Sequence, residues 1–189
     1  ARASPFQWLR QSNDSDHRKK RIDLAVATAA AVRLNGYAFY NYQRQQEGSR
    51  IDLDAERSVQ ATQLWNPQTV PRIDGGRSRS QPLRVTYAGE DVTDLIQRLD
   101  ATEQYHTGVV NPGNRFQPGG GFTTGGRHAL EEALCVQSTL YQSLAHATGH
   151  ASPLGHFDVI VSPFVEFFRA AQDYSFLRET RTVTVFTMT

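Results

Sequence analysis

Two glutamates stand side by side at Glu131 and Glu132, just downstream of Gly113, Gly119, Gly120, Gly121, Gly125 and Gly126. Adjacent carboxyls in a confined space repel one another when both are ionised, which favours a proton on one of them. A protonated carboxyl beside a bound substrate is a general acid. The glycines supply a second ingredient. They admit positive φ and close approach of a ligand to the backbone. Clustered peptide N–H groups beside a helix N-terminus attract anions, phosphate above all. Neither the lysine-bearing phosphate-loop pattern nor the dinucleotide-binding glycine spacing is present. Each feature also has a plainer reading at this level. The glutamates complement a helix dipole, or the glycines form a surface linker.

Regular elements bracket this segment. Residues 107–110 read as a short apolar strand, 111–126 as the glycine-rich loop, and 128–146 as one helix. Leu130, Ala133, Leu134, Leu140, Tyr141 and Leu144 mark that helix's inner side. Upstream, a helix opens at Ser15 and Asp16, carries a stripe of Ile22, Ala25, Val26, Ala29, Ala30 and Val32, and stops at Asn35 and Gly36. The basic run 17–21 sits in its first turn, the wrong end for the helix dipole, so it is either solvated or a contact point. Residues 37–42 and 50–53 predict hairpin arms turning at Glu47 and Gly48. A second helix is predicted over 54–64, ending near Asn66 and Pro67, and a loop over 68–81. Leu83, Val85 and Tyr87 alternate as a strand, and Val92, Leu95, Ile96 and Leu99 mark a helix. Residues 158–161 predict a strand, 164–171 a short helix or turn, and 182–187 another strand. Strands alternating with helices argue a layered α/β fold around a central sheet.

Bulk properties bound the rest. A chain of 189 residues suits one domain with a real core. With 39% hydrophobic and 21% charged residues it is globular in composition, and a net charge of +1 gives no general pull toward nucleic acid or membrane. The expectation is no specific DNA binding, no membrane partner and a monomer. The lone Cys135 excludes an internal disulfide and reads as a small buried hydrophobe. No apolar run approaches the roughly 20 residues of a membrane-spanning helix. The histidines lack ligand spacing, so no metal and no other cofactor is expected.

Val109-Val110-Asn111-Pro112-Gly113-Asn114 followed by Gly119-Gly120-Gly121 resembles the ribose and phosphate segment of macrodomains. The glycine triad, the next eight residues and then Leu130-Glu131-Glu132 resemble the catalytic loop of microbial-type poly(ADP-ribose) glycohydrolases. Residues 18–37 look like that family's opening helix, 133–144 like the helix after its catalytic pair, and Ser162-Pro163, Val165 and Phe168-Arg169 like a later strand segment. The resemblance implies a macrodomain-like three-layer α/β/α fold with a central mixed sheet. It divides the chain into an N-terminal helical extension over 1–82, packed on a core over 83–189. The strand at 183–188 leads in the family to further strands and helices, so the C-terminal part of the core is expected to be missing here.

The same resemblance implies roles. Glu132 would be the catalytic acid, and Glu131 would hold hydroxyls of the distal ribose. Asn111 and Asn114 would contact ribose, and Gly119, Gly120, Gly121 and Phe122 would wrap the diphosphate. Asp91 would bind the adenine amino group, although an aspartate there is also an ordinary helix starter. The implied ligand is ADP-ribose or an ADP-ribosylated protein, and the implied activity is hydrolysis of the glycosidic bond, on a protein side chain or in poly(ADP-ribose). Leu130 stands where the family carries glutamine, which leaves room for removal of single ADP-ribose groups. His128 is a candidate for specificity. Two further readings share the loop without the chemistry: a domain that binds ADP-ribose without turnover, and a structural domain of a larger assembly.

Overall fold

The computed structural model describes residues 15–41, 46–71, 85–98, 107–126, 129–149 and 153–189. Helix α1 (Ser15–Arg33) buries Arg21, Ala25, Thr28, Ala31 and Val32, an i, i+3, i+4 face. It stops where Asn35 takes φ 50° and Gly36 φ 148°, as the Asn-Gly pair predicts. Strand β1 (Gly36–Asn41) then pairs antiparallel with β2 (Gln46–Asp52). Glu47 and Gly48, expected in the turn, lie inside β2.

Helix α2 (Ala55–Ala61) is shorter than expected. Asp54 caps it by accepting from the Arg57 N–H, and the chain leaves at Thr62 to form β3 (Gln63–Trp65). Residues 85–89 form no strand, and Val85 and Tyr87 are 85% and 94% exposed; among the described residues no strand pairs with them. Leu83 lies outside the described residues. Helix α3 (Val92–Arg98), strand β4 (Gly108–Pro112), helices α4 (Leu130–Gln137) and α5 (Leu140–Thr148), and strands β5 (Val159–Arg169) and β6 (Phe176–Met188) complete the order.

The predicted helix over 128–146 is therefore two helices. Ser138 is extended, at φ −145° and ψ −180°, and bridges to Phe167 of β5. Its hydroxyl donates to the Leu134 carbonyl at 2.7 Å and accepts from the Leu140 N–H at 3.2 Å, closing one helix and opening the next. Thr139 exchanges bonds with Glu166: its N–H donates to that carbonyl, and its hydroxyl accepts from that N–H. Hydroxyl side chains that offer the backbone such alternatives interrupt helices.

The predicted helix or turn at 164–171 is also overturned. β5 runs through it, with a register shift between Ser162 and Val165 where Pro163 cannot donate and Phe164 takes φ 59°.

Four strands form a mixed sheet in the order β3-β5-β6-β4. β5 pairs antiparallel with β3 and β6, and β4 lies parallel to β6. This is the macrodomain-like α/β arrangement with a central mixed sheet. β3, from the segment expected as an N-terminal extension, is one edge of that sheet. Leu134, Leu140, Leu144, Ile160, Val165, Phe167 and Val185 are fully buried between sheet and helices. Leu130, expected on the inner face, is 36% exposed. A second cluster joins Val32, Tyr37, Leu53 and Phe168, and seats the β1-β2 hairpin on Phe176 with Tyr37 stacked at 4.6 Å.

Cys135 has no exposed surface, and burial first, then the charges of Glu131 and Glu132, push its thiol well above 9.0. A thiol that is both inaccessible and protonated is inert. Native protein should therefore show no alkylation by iodoacetamide at pH 8, with full labelling after unfolding in guanidinium. Rapid labelling of the folded protein would contradict this placement.

Candidate active site

The loop expected to carry the chemistry leaves the sheet where the parallel pair β4 and β6 ends. The Gly113 N–H donates to the Met188 carbonyl at 2.8 Å, which pins that exit. Ligands of open α/β sheets gather at such carboxyl ends. Alternation along β4 turns Asn111 inward, fully buried, where its amide donates to the Thr187 hydroxyl at 3.1 Å. Its Oδ1 is buried with no donor among the described residues.

Asn114 turns the chain. Its side-chain oxygen accepts from the N–H groups of Phe116 and Gln117, and its own N–H donates to Glu131 Oε2 at 2.9 Å. The loop then curls through Gly119 at φ 89° and Gly120 at φ 53°. Both glutamates lie inside the curl, at the first turn of α4, only 4% and 9% exposed. Glu131 Oε1 accepts from the Gly119 N–H at 2.8 Å. Glu132 Oε1 accepts from the Gly121 N–H at 2.8 Å, and its Oε2 accepts from the Ala129 N–H at 3.0 Å, the reciprocal half of a capping box.

This arrangement corrects one expectation. The loop's peptide N–H groups do not form an open anion cradle. Those of Gly119 and Gly121 are committed to the two carboxylates, and those of Gly120 and Phe122 to the carbonyls of Gln117 and Gly119. Two ionisable groups buried together need donors, and the loop backbone provides them. Phe122 is 4% exposed and packs its ring on Tyr141 at 4.7 Å, so it anchors the loop to α5. Asp91 caps α3, with Oδ1 accepting from the Thr93 N–H and hydroxyl. His128 lies outside the described residues.

Sequence reasoning missed the brace on the loop's far side. Arg18 Nε donates to the Thr124 carbonyl at 3.1 Å, and Arg21 Nε to the Gly125 carbonyl at 3.0 Å. Three residues apart on α1, they share one face, so the basic run is in part a contact point. The signal was an arginine in line with the buried Ala25 and Thr28 stripe. Thr28 continues the contact by donating its hydroxyl to the Val136 carbonyl of α4 at 2.8 Å.

Burial raises the Glu131 carboxyl above its ordinary 4.5, against the pull of its bonds from Gly119 and Asn114; the charge of Glu132 adds to the rise. The folded state then binds more protons than the unfolded one above that value. Stability attributable to Glu131 is full below about pH 4.5 and declines as pH rises through the window above it. In thermal melts from pH 4 to pH 8, Glu131→Gln should lose less stability with rising pH than the parent. Glu166, also raised chiefly by burial, keeps a residual slope in both. Parallel curves for the two proteins would show that Glu131 does not carry the effect.

Among the described residues no three His, Cys, Asp or Glu side chains cluster to hold a metal ion, and no helix is long and apolar enough to cross a membrane.

Residues 25–170, which include the loop and both glutamates, match the family described as the catalytic domain of microbial-type PARG. The crystal structure of poly(ADP-ribose) glycohydrolase from Thermomonospora curvata is similar, with a TM-score of 0.75 and 25% identity over 90% of this chain and 64% of that one. The structure of that enzyme bound to the inhibitor ADP-HPD is similar at a TM-score of 0.66 and 25% identity, over 90% and 62% of the two chains. The chain thus spans less than two thirds of the length of these relatives. No curated protein sequence matches the chain.

Proposed function

The chain belongs to the microbial-type poly(ADP-ribose) glycohydrolase catalytic-domain family, and from that premise we propose that it hydrolyses the glycosidic bond of ADP-ribose with Glu132 as general acid. The substrate is poly(ADP-ribose) or ADP-ribose attached to a protein side chain. One observation carries the reading: two neighbouring carboxylates are buried under a glycine loop at the carboxyl end of a parallel strand pair. A loop that only linked two elements has no need of buried charge.

The division of labour follows from exposure and bonding. Glu131 accepts from two backbone amides, and is the less exposed of the two. It sets the loop's shape, and its remaining lone pairs can accept ribose hydroxyls. Asn111 Oδ1, buried without a donor, is a further acceptor beside it. Glu132 is the more exposed of the two, at 9% against 4%, which supports it as the group that meets substrate. Its proton passes to the departing glycosidic oxygen as the bond to the anomeric carbon breaks. A water then adds to the oxocarbenium-like centre and returns a proton to the carboxylate. Adjacent glutamates on one helical turn cannot straddle a sugar as paired glycosidase carboxylates do, so the second carboxylate is no base on the opposite face.

A diphosphate settling on Gly119, Gly120, Gly121 and Phe122 competes with the Gln117 and Gly119 carbonyls for the N–H groups of Gly120 and Phe122. Asp91 is the residue for the adenine amino group. Leu130 is partly exposed at the start of α4, next to the pair in sequence.

The test is incubation with poly(ADP-ribose) and, separately, with mono-ADP-ribosylated protein, followed by chromatography of free ADP-ribose. Release from either substrate is the expected result. Binding of ADP-ribose by calorimetry with release from neither would instead make the chain a non-catalytic reader.

A further inference from the structure

Arg21 is a buried arginine on α1, far from the glutamates in sequence and 4% exposed. Burying a guanidinium is costly unless it is hydrogen-bonded, and its Nε finds the Gly125 carbonyl at 3.0 Å. That carbonyl belongs to a tight return of the catalytic loop. The Gly126 and Thr124 N–H groups both donate to the Gly121 carbonyl, at 2.9 Å and 3.2 Å. The Gly121 N–H, on the other side of the same residue, is the donor to Glu132 Oε1 at 2.8 Å. Gly125 sits hard against α1: at φ 66°, a Cβ there would lie 2.7 Å from the Arg18 carbonyl and 2.8 Å from Ile22 Cγ1. A chain of contacts therefore runs from Arg21 through Gly125, Gly126 and Gly121 to the Glu132 carboxylate.

We infer that Arg21 is a positioning residue for Glu132: it fixes the return of the loop and so the amide that orients the acid, with Arg18 on Thr124 as a second point of hold. The inference rests on the glycohydrolase reading for its kinetic consequence, while its structural consequence stands apart from activity. Thr28→Val is the matched control, because Thr28 also ties α1 to the core but through α4, not through the loop.

The experiment compares the wild-type chain, Arg21→Gln and Thr28→Val by hydrogen–deuterium exchange of peptides covering residues 117–126, and by kcat and KM for ADP-ribose release. Arg21→Gln should speed exchange in that segment by about tenfold or more, and Thr28→Val should not. It should also lower kcat by roughly 10- to 100-fold, with KM changed by less than about threefold, because the acid is misplaced and not removed. If Arg21→Gln does not fold, Arg21→Lys and Arg18→Gln are scored by the same readouts. Loop exchange and kcat indistinguishable from Thr28→Val would overturn the inference. Wild type that releases no ADP-ribose would defeat the glycohydrolase reading, and the exchange arm would still decide whether Arg21 orders the loop.

Discussion

Glu132→Gln should bind ADP-ribose nearly as tightly as the parent and lose turnover by roughly 10²- to 10⁴-fold, the ordinary worth of a positioned general acid. The substitution is close to isosteric, yet its geometry is informative. Glu132 now accepts from two backbone donors on opposite sides, the Gly121 and Ala129 N–H groups. A glutamine has one oxygen. It can keep the capping bond to Ala129, as glutamine does in capping boxes, but then turns an NH₂ toward the Gly121 N–H. About 1–3 kcal/mol of stability should go with that unmet donor. The variant should therefore melt lower than the parent and still be folded when assayed. Single-turnover release of ADP-ribose, measured beside calorimetric binding, separates the two effects. Parental turnover in Glu132→Gln would remove it from the acid role.

Gly120→Val should be the most damaging change in the loop, and for a reason the sequence did not disclose. The sequence suggests that a side chain here would block a diphosphate. In the folded protein a Cβ at Gly120 points at the acids themselves. It would collide with Glu132 Oε1, lie 2.9 Å from Glu132 Cδ and 3.3 Å from Glu131 Oε2. The backbone there is left-handed, at φ 53°, where a β-branched residue is strained. Overpacking and the left-handed conformation together should cost roughly 2–5 kcal/mol. Release of ADP-ribose should fall below detection, and the melting temperature should drop well below the parent's. Gly119→Ala is a useful companion, since its Cβ would strike the Tyr141 ring at 2.7 Å and meets no carboxylate oxygen directly. A Gly120→Val protein with parental activity would mean that the loop does not enclose the acids as described.

Much of the candidate site was legible before folding. Glycines next to an acidic pair, between an apolar strand and an amphipathic helix, specify a loop that must come close to something. The folded chain hydrogen-bonds Asn114 and Gly119 to Glu131 and Gly121 to Glu132, with Asn111 buried at the end of β4. What the sequence could not show is the direction of the N–H groups. Composition and spacing suggest an outward cradle, but two buried carboxylates draw the amides inward, and only the path of the backbone reveals that.

The limits of legibility elsewhere have similar causes. Ser138 and Thr139 sit in an apolar run with helical spacing, and they break the helix because β5 offers Phe167 and Glu166 as partners from far along the chain. Residues 176–181 are too polar to show an alternating pattern, yet they extend β6 because β5 continues beside them. Val85 and Tyr87 alternate with no neighbouring strand among the described residues and remain exposed. Periodicity thus found α1, α3, β4 and the existence of β5 and β6. Tertiary partners set the ends of the elements and the helix break. Arg21 lies in a basic run whose ordinary reading is solvation, and only the contact with Gly125 distinguishes it.

A crystal structure of the protein soaked with ADP-ribose is the most direct test, read for the distance from the Glu132 carboxyl to the oxygen on the anomeric carbon. A separation near 3 Å, within hydrogen-bonding reach, is the predicted result. ADP-ribose bound with its distal ribose away from the glutamates, and Glu132 still engaged with the Gly121 and Ala129 amides alone, would contradict the acid role.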